Sequence, residues 1–177
     1  MKAHTQPLPI MTPRFILKPL TIADATPRYS AWLDEQADQG FIQAARSAHD
    51  IEHLQEFISI RADRDDVVFL GIFTKDGMHH IGNIKFEPVD PIRKFAILGI
   101  LIGDSAWRGQ GVGVEVIKHS VDWLHSERGI DEIVLGVDKD NLAAIRCYEK
   151  AGFSFEESDK LVLDGISRMT MVHHAGN

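Results

Sequence analysis

One stretch constrains this chain more than any other: Phe95 to Gly113, FAILGILIGDSAWRGQGVG. It reads as an apolar strand, a short turn, a glycine-rich loop and the start of a helix. Gly109, Gly111 and Gly113 alternate with Gln110 and Val112, directly after Arg108. Glycines at alternate positions leave the backbone uncovered and open positive φ to it. Loop amides that run into a helix N-terminus form a positive concavity suited to phosphate. Arg108 adds a fixed charge and a fork of donors. The stretch therefore reads as a strand delivering a pyrophosphate-bearing ligand to the start of a helix. The plainer reading is a tight strand-to-helix turn with no ligand.

Two common phosphate loops fail on spacing. A dinucleotide fold places G-x-G-x-x-G after its first strand, with an acid about 20 residues on. A P-loop ends in G-K-[S/T], whereas Gly113 is followed by Val114 and Glu115. Arg108-Gly109-Gln110-Gly111-Val112-Gly113 instead resembles the R/Q-x-x-G-x-G/A signature of the GNAT acetyltransferase superfamily. Further along, Asn141-Leu142-Ala143-Ala144-Ile145-Arg146-Cys147-Tyr148-Glu149-Lys150-Ala151-Gly152-Phe153 is similar to that superfamily's N-x-x-A-I-x-x-Y-E-K-x-G-F segment. Two motifs in the right order at the right distance are more specific than either alone. Pro13 to Leu20, PRFILKPL, also looks like the first strand of the branch holding the ribosomal-protein N-acetyltransferases. The resemblance covers nearly the whole chain, and the part from about 95 to 153 is the diagnostic one.

Length and composition agree. A chain of 177 residues suits one domain spanning 1–177, and a 44% apolar share allows a sizeable core. The net charge of −7 argues against broad nucleic-acid binding, which needs a basic face, and fits a cationic or neutral amine. The single cysteine, Cys147, forbids an internal disulfide. The N-terminus lacks the apolar core of a signal peptide. No apolar run approaches the ~18 residues of a membrane span. A cytoplasmic protein is the expectation.

Along the chain, Phe15 to Leu20 reads as a strand. Asp24 to Glu35 reads as a helix with Ala25, Tyr29, Trp32 and Leu33 on one stripe. Gly40 breaks the polar stretch after it, where Phe41 and Ile42 close the core or touch an acceptor pocket. A second helix is expected from about Ala48 to Ala62, with Ser47 and Asp50 as a weak capping box and Ile51, Leu54, Phe57 and Ile58 inward. Val67 to Thr74 is a strand covered on both faces. Asp76-Gly77 turns it into His80 to Glu87, which alternates Ile81, Asn83, Lys85 and Glu87 against Gly82, Ile84 and Phe86 and ends at Pro88. Gly113 to about Ser126 is a helix with Ile117, Ser120, Val121 and Leu124 inward, stopped by Gly129. Ile133 to Val137 is a buried strand, and a helix runs from Asn141 to Lys150. Phe153 begins another strand, and Asp164-Gly165 marks a hairpin between Lys160–Leu163 and Ile166–Val172. Strands with helices between them give an α/β (α+β) class. The resemblance sharpens this to a mostly antiparallel sheet, flanked by helices, whose two central strands splay apart.

The resemblance implies acetyl-CoA as co-substrate, an amine acceptor, no metal, and compatibility with a homodimer. The first two helices would border the acceptor site and set specificity. Arg108 to Gly113 would take the pyrophosphate, and the strand through Ile100, Leu101 and Ile102 would offer backbone hydrogen bonds to the pantetheine arm. An amide near Ile102 would form an oxyanion site. Asn141 reads either as an N-cap or as a ligand near the arm. Tyr148 matches the family's general acid; its plainer reading is a core tyrosine. Glu87 is the first choice for the base that frees the amine, acting directly or through water; its plainer reading is a surface carboxylate. Asp104 and His80 are lesser candidates. His49 and His53 share a metal-like spacing but lack a neighbouring Glu, and a solvated pair explains them. Cys147 has no evident base partner, so direct transfer is preferred over an acetyl-cysteine. The acceptor is expected to be an amino sugar, a polyamine or an amino-acid-like amine. A protein N-terminus, as in the ribosomal-protein branch, and a non-catalytic acyl-CoA sensor are the alternatives.

Overall fold

Nearly every apolar run in the chain joins one sheet. The structure, a computed structural model, describes residues 9–38, 50–165 and 167–176. Its strands are β1 (Ile10–Met11), β2 (Phe15–Pro19), β3 (Val68–Thr74), β4 (His80–Asp90), β5 (Phe95–Ile102), β6 (Glu132–Asp138), β7 (Ser154–Phe155) and β8 (Arg168–His174). They are ordered β1-β2-β3-β4-β5-β6-β8-β7. Helices α1 (Pro27–Asp38), α2 (Ile51–Ala62), α3 (Val112–Arg128) and α4 (Leu142–Lys150) complete the described elements. Neighbouring strands are antiparallel except β5 and β6. A parallel pair needs a crossover, and α3 supplies it.

The parallel pair is short. Phe95, Ala96 and Ile97 pair with Glu132, Ile133 and Val134, and there the contact stops. β5 continues beside β4 as far as Ile102 opposite Gly82. β6 continues beside β8 as far as Asp138 opposite Arg168. The two central strands thus part after Ile97, as the resemblance implies. Alternate backbone groups of β5 between Leu98 and Ile102 then face a gap rather than a neighbouring strand.

Each face of the sheet has its own apolar layer. Val116, Ile117, Val121 and Leu124 of α3 pack on Leu70, Ile84, Phe86, Leu98 and Leu135, with Ala144, Ile145 and Tyr148 of α4 against the same layer. Each fully buried Leu or Ile contributes about 1.5–3 kcal/mol. On the other face Tyr29 and Trp32 of α1 and Leu54 and Ile58 of α2 cover Phe73 and Leu101. Trp32 explains Gly103, where a Cβ would lie 2.1 Å from the indole.

Several local expectations need correction. α1 begins at Pro27, not Asp24: Thr26 Oγ1 accepts from Tyr29 N at 3.2 Å, and proline suits the first helical position. Asp24 instead accepts from Thr21 N at 2.7 Å and closes a 3-10 turn. α2 begins at Ile51 because Asp50 is itself the cap, accepting from His53 N at 2.8 Å. Ser47 and His49 lie outside the described residues, as do Phe41 and Ile42. β4 passes through Pro88 to Asp90, with a register shift between Phe86 and Val89. Another shift beside Phe73 turns Ile81 into the α3 layer, the face opposite to the one its alternation suggests. Residues 160–163 form no strand; β8 pairs with β7 instead.

Candidate functional site

The gap between β5 and β6 opens into a cleft of about 790 Å³. Ile100, Leu101 and Ile102 line it from β5, Gly136 to Asp138 from β6, the start of α3 from one end, and α4 from the side. The end formed by α3 is mostly backbone. Gly109 and Gly111 sit at φ +71° and +76°, a region that favours glycine. Gly111 also serves as the helix N-cap without a side chain. Among the described residues, no carbonyl or side-chain oxygen accepts from the amides of Gly109, Gln110, Gly111, Val112, Gly113 and Val114. Unpartnered helix-start donors beside a cleft are a built anion site. Gly113 has a second reason to be glycine: a Cβ there would lie 2.7 Å from Cys147 Sγ, so α3 and α4 could not approach.

Arg108 makes ties within the protein that its motif does not show. Its Nε donates to Ile102 O at 3.1 Å and its Nη2 to Gly103 O at 3.2 Å, while Nη1 meets Glu35 Oε1 at 3.0 Å. The guanidinium thus ties the end of β5 to α1, while Arg108 also lines the cleft. Its hydrogen bond lowers the Glu35 carboxyl. A cation that does approach the loop is Arg14, whose Nη2 lies 3.7 Å from the Cβ position of Gly111. Glu115 holds it through Nε at 2.7 Å and through the Arg14 amide at 2.9 Å, with Thr12 Oγ1 donating to the same carboxylate at 2.7 Å. Burial raises Glu115, but these donors outweigh it and keep the carboxyl below the usual range. No sequence motif singles out Arg14, since its partner is a hundred residues away.

Asn141 caps α4 by accepting from Ala144 N at 3.2 Å, and it lines the cleft as well. The cap reading is therefore observed, and the residue also faces the cleft. Tyr148 also does two things: its ring packs 6.2 Å from Phe153, and it lines the cleft. Burial pushes its phenol up to about 12. Burial also raises the neighbouring Cys147 thiol. A thiol is a weak nucleophile compared with a thiolate, which disfavours an acetyl-cysteine. Gln110 is not among the cleft-lining residues.

Glu87 is not placed as a base. It does not line the cleft. Arg61 Nε lies 2.8 Å from one carboxylate oxygen, Lys85 Nζ 3.2 Å from the same one, and Arg64 Nη1 2.8 Å from the other. Burial raises its pKa, but Arg61 and Lys85 outweigh burial and hold the carboxyl below its ordinary value. A carboxylate with both oxygens occupied by cations is a poor proton acceptor. Asp104 pairs with Arg28 and caps a 3-10 turn through Ala106 N. His80 stacks on Phe73 at 4.9 Å and contacts Asn83 Oδ1 at 2.8 Å; burial lowers it. All three lie outside the lining of the cleft.

Comparisons with known proteins point the same way. Residues 14–154 match the family model described as an acetyltransferase (GNAT) domain. The probable N-acetyltransferase YjcK of Bacillus subtilis (strain 168) is 32% identical over 97 residues, which is 54% of this chain and 53% of that protein. The chain thus spans about half the length of the curated relatives it matches. The structure of RimL, a ribosomal L7/L12 alpha-N-protein acetyltransferase in complex with coenzyme A, superposes with a TM-score of 0.80 at 16% identity, over 94% of this chain and 98% of that one. Spermidine N-acetyltransferase from Vibrio cholerae, in complex with CoA and spermine, gives 0.73 at 16% identity over 90% and 95%. At such identities these two likenesses concern the fold.

Proposed function

The chain belongs to the GNAT acetyltransferase family, and from that premise we propose that it moves an acetyl group from acetyl-CoA directly to a primary amine of a small molecule. The observation that carries this is the parting of β5 and β6 after Ile97, with free helix-start amides at one end and Tyr148 on the wall. Acetyl-CoA supplies a thioester whose acyl carbon an amine can attack while the thiol departs.

The residues present fit that molecule. The amides of 109–114 and the cation of Arg14 would hold its pyrophosphate. The open edge of Leu98 to Ile102 would align its arm as a strand would, and an amide there would stabilise an oxyanion. Asn141 would reach the arm with the amide nitrogen its cap leaves spare. Buried Tyr148 keeps its proton at all working pH values, since its pKa is pushed up to about 12. A phenol so weakly acidic gives up a proton best when it takes another. Tyr148 Oη donates to the departing sulfur and recovers a proton from the nitrogen that has attacked, so protons balance without a separate carboxylate.

The test is free-thiol release from acetyl-CoA against amines, amino sugars, polyamines and short peptides. Turnover of a small amine supports the reading. Turnover of peptide N-termini alone makes the protein-directed alternative correct. Tight acyl-CoA binding without any turnover makes the protein a sensor.

A further inference from the structure

The cleft has a second mouth, on the face away from α3. On β5, Leu98, Ile100 and Ile102 pack toward α3, so Ile97, Gly99 and Leu101 face the other way. α1 and α2 cover Leu101 but leave Gly99 exposed, and a Cβ there would meet nothing within 4 Å. Across the gap, Leu135 and Val137 of β6 belong to the α3 layer, so Gly136 faces the same way as Gly99. Over Gly136 lie Leu163 Cδ2 at 2.6 Å, Leu161 Cδ2 at 3.3 Å and, at their edge, Arg168 Nη2 at 3.4 Å from the Cβ position. Arg168 lines the cleft together with Tyr148, and among the described residues it has no ion-pair partner.

The charges around this mouth balance in number, and what singles out Arg168 is that no carboxylate among the described residues occupies its guanidinium. Asp138 lies opposite Arg168 in the β6–β8 ladder, but its Oδ1 accepts from Asp140 N at 2.9 Å. Asp164 shares the cleft lining. On the other side Lys85 pairs in register with Gly99, and with Arg61 and Arg64 it surrounds the single carboxylate of Glu87; Asp66 holds Arg64 from outside. Lys160 is matched by Glu132 at 2.9 Å. A carboxylate would meet a free guanidinium fork, the geometry that binds it with two parallel hydrogen bonds. A nearby guanidinium also favours the neutral form of an amine, the form that attacks, so the site has less need of a carboxylate base.

We propose that Arg168 is the acceptor-anchoring residue and that the acceptor is a small amine carrying a carboxylate a few bonds from its nitrogen, an amino acid or a close analogue. This rests on the acetyltransferase reading above and narrows its acceptor class. The experiment compares the wild type with Arg168→Gln and Arg168→Lys. Thiol release from acetyl-CoA is measured with each common amino acid, with its C-terminal amide and with spermidine. Binding of N-acetyl amino acids and of their amides is measured by calorimetry in the presence of coenzyme A. Loss of a charge-assisted pair predicts that the wild type prefers an acid over its amide by about tenfold or more in kcat/KM. Arg168→Gln should erase that preference while leaving the KM for acetyl-CoA unchanged, and Arg168→Lys should restore part of it. Equal use of acids and amides, preference for spermidine, or an equal fall for both in Arg168→Gln would overturn the proposal. If no amine releases thiol, the transferase reading falls, and calorimetry still decides Arg168: acid-selective binding lost in Arg168→Gln upholds it, and unselective binding overturns it.

Discussion

The two mouths of the cleft are built on opposite plans. The mouth at α3 is made of contiguous backbone, residues 109–114, with glycines forced by positive φ at 109 and 111 and by the approach of Cys147 at 113. The mouth on the other face is made of side chains from β4, α2 and β8 around the open Gly99, with Leu161, Leu163 and Arg168 over Gly136. A plan based on backbone fixes one ligand chemistry, since amides always point the same dipole. A plan based on scattered side chains can change its ligand by a single substitution. The first suits a shared co-substrate; the second suits an acceptor that differs from one relative to the next.

The sharpest way to separate the two mouths is the residue between them. Tyr148→Phe should lower kcat by roughly 10²–10⁴-fold, while the calorimetric affinity for acetyl-CoA stays unchanged. A parallel loss of affinity would mean that Tyr148 only shapes the wall.

The next contrast is between Gly111 and Gly99. Gly111→Val puts a β-branched residue at φ +76° and should cost about 1–3 kcal/mol of stability, together with clear loss of acetyl-CoA binding. Gly99→Ala meets open space. It should leave melting within about 0.5 kcal/mol and acetyl-CoA affinity unchanged, while raising the KM for the acceptor. If both act on acetyl-CoA alike, the mouths are not distinct.

Glu87→Gln tests whether that carboxylate is structural. It leaves Arg61, Arg64 and Lys85 without their common anion. Allowing for partial solvent screening, it should cost about 1–2 kcal/mol in denaturant unfolding, with no change in the shape of the pH–rate profile. A lost acidic limb would return Glu87 to the chemistry.

The smallest expected effect lies away from both mouths. Burial, with His125 5.3 Å away in ring-centroid distance, lowers His173 below its ordinary value; His174 adds to this and Asp122 opposes it. A depressed folded pKa means that the unfolded chain binds the proton more readily. Stability is therefore full above the unfolded value of about 6.5 and falls as pH drops below it. Thermal melting between pH 7.5 and 5.5 should show this slope, and His173→Phe should flatten it without altering the pH dependence of turnover.

The same contrast governs how much of the molecule is legible in its sequence. The strand Phe95–Ile102, the loop, and the stop of α3 at Gly129 can be read because each depends on neighbours in sequence. The parting of β5 and β6 comes only through family resemblance, since no local pattern records which backbone groups lack a partner. Ile81 reads to the wrong face because a bulge beside Phe73 breaks the alternation. Glu87 reads as a base because Arg61 and Arg64, 26 and 23 residues away, are invisible from its own strand. The ties of Arg108 to Ile102, Gly103 and Glu35 are not legible, because a motif shows a charge but not where it points. Arg168 carries no signal, as a lone arginine entering a strand has none.

Hydrogen–deuterium exchange, with and without coenzyme A, tests most directly whether the parted strands and the glycine loop hold the co-substrate. Added coenzyme A should slow exchange at 98–102 and 109–114 and leave 61–66 unchanged. Saturating binding with no protection at 109–114 would show that the ligand sits elsewhere.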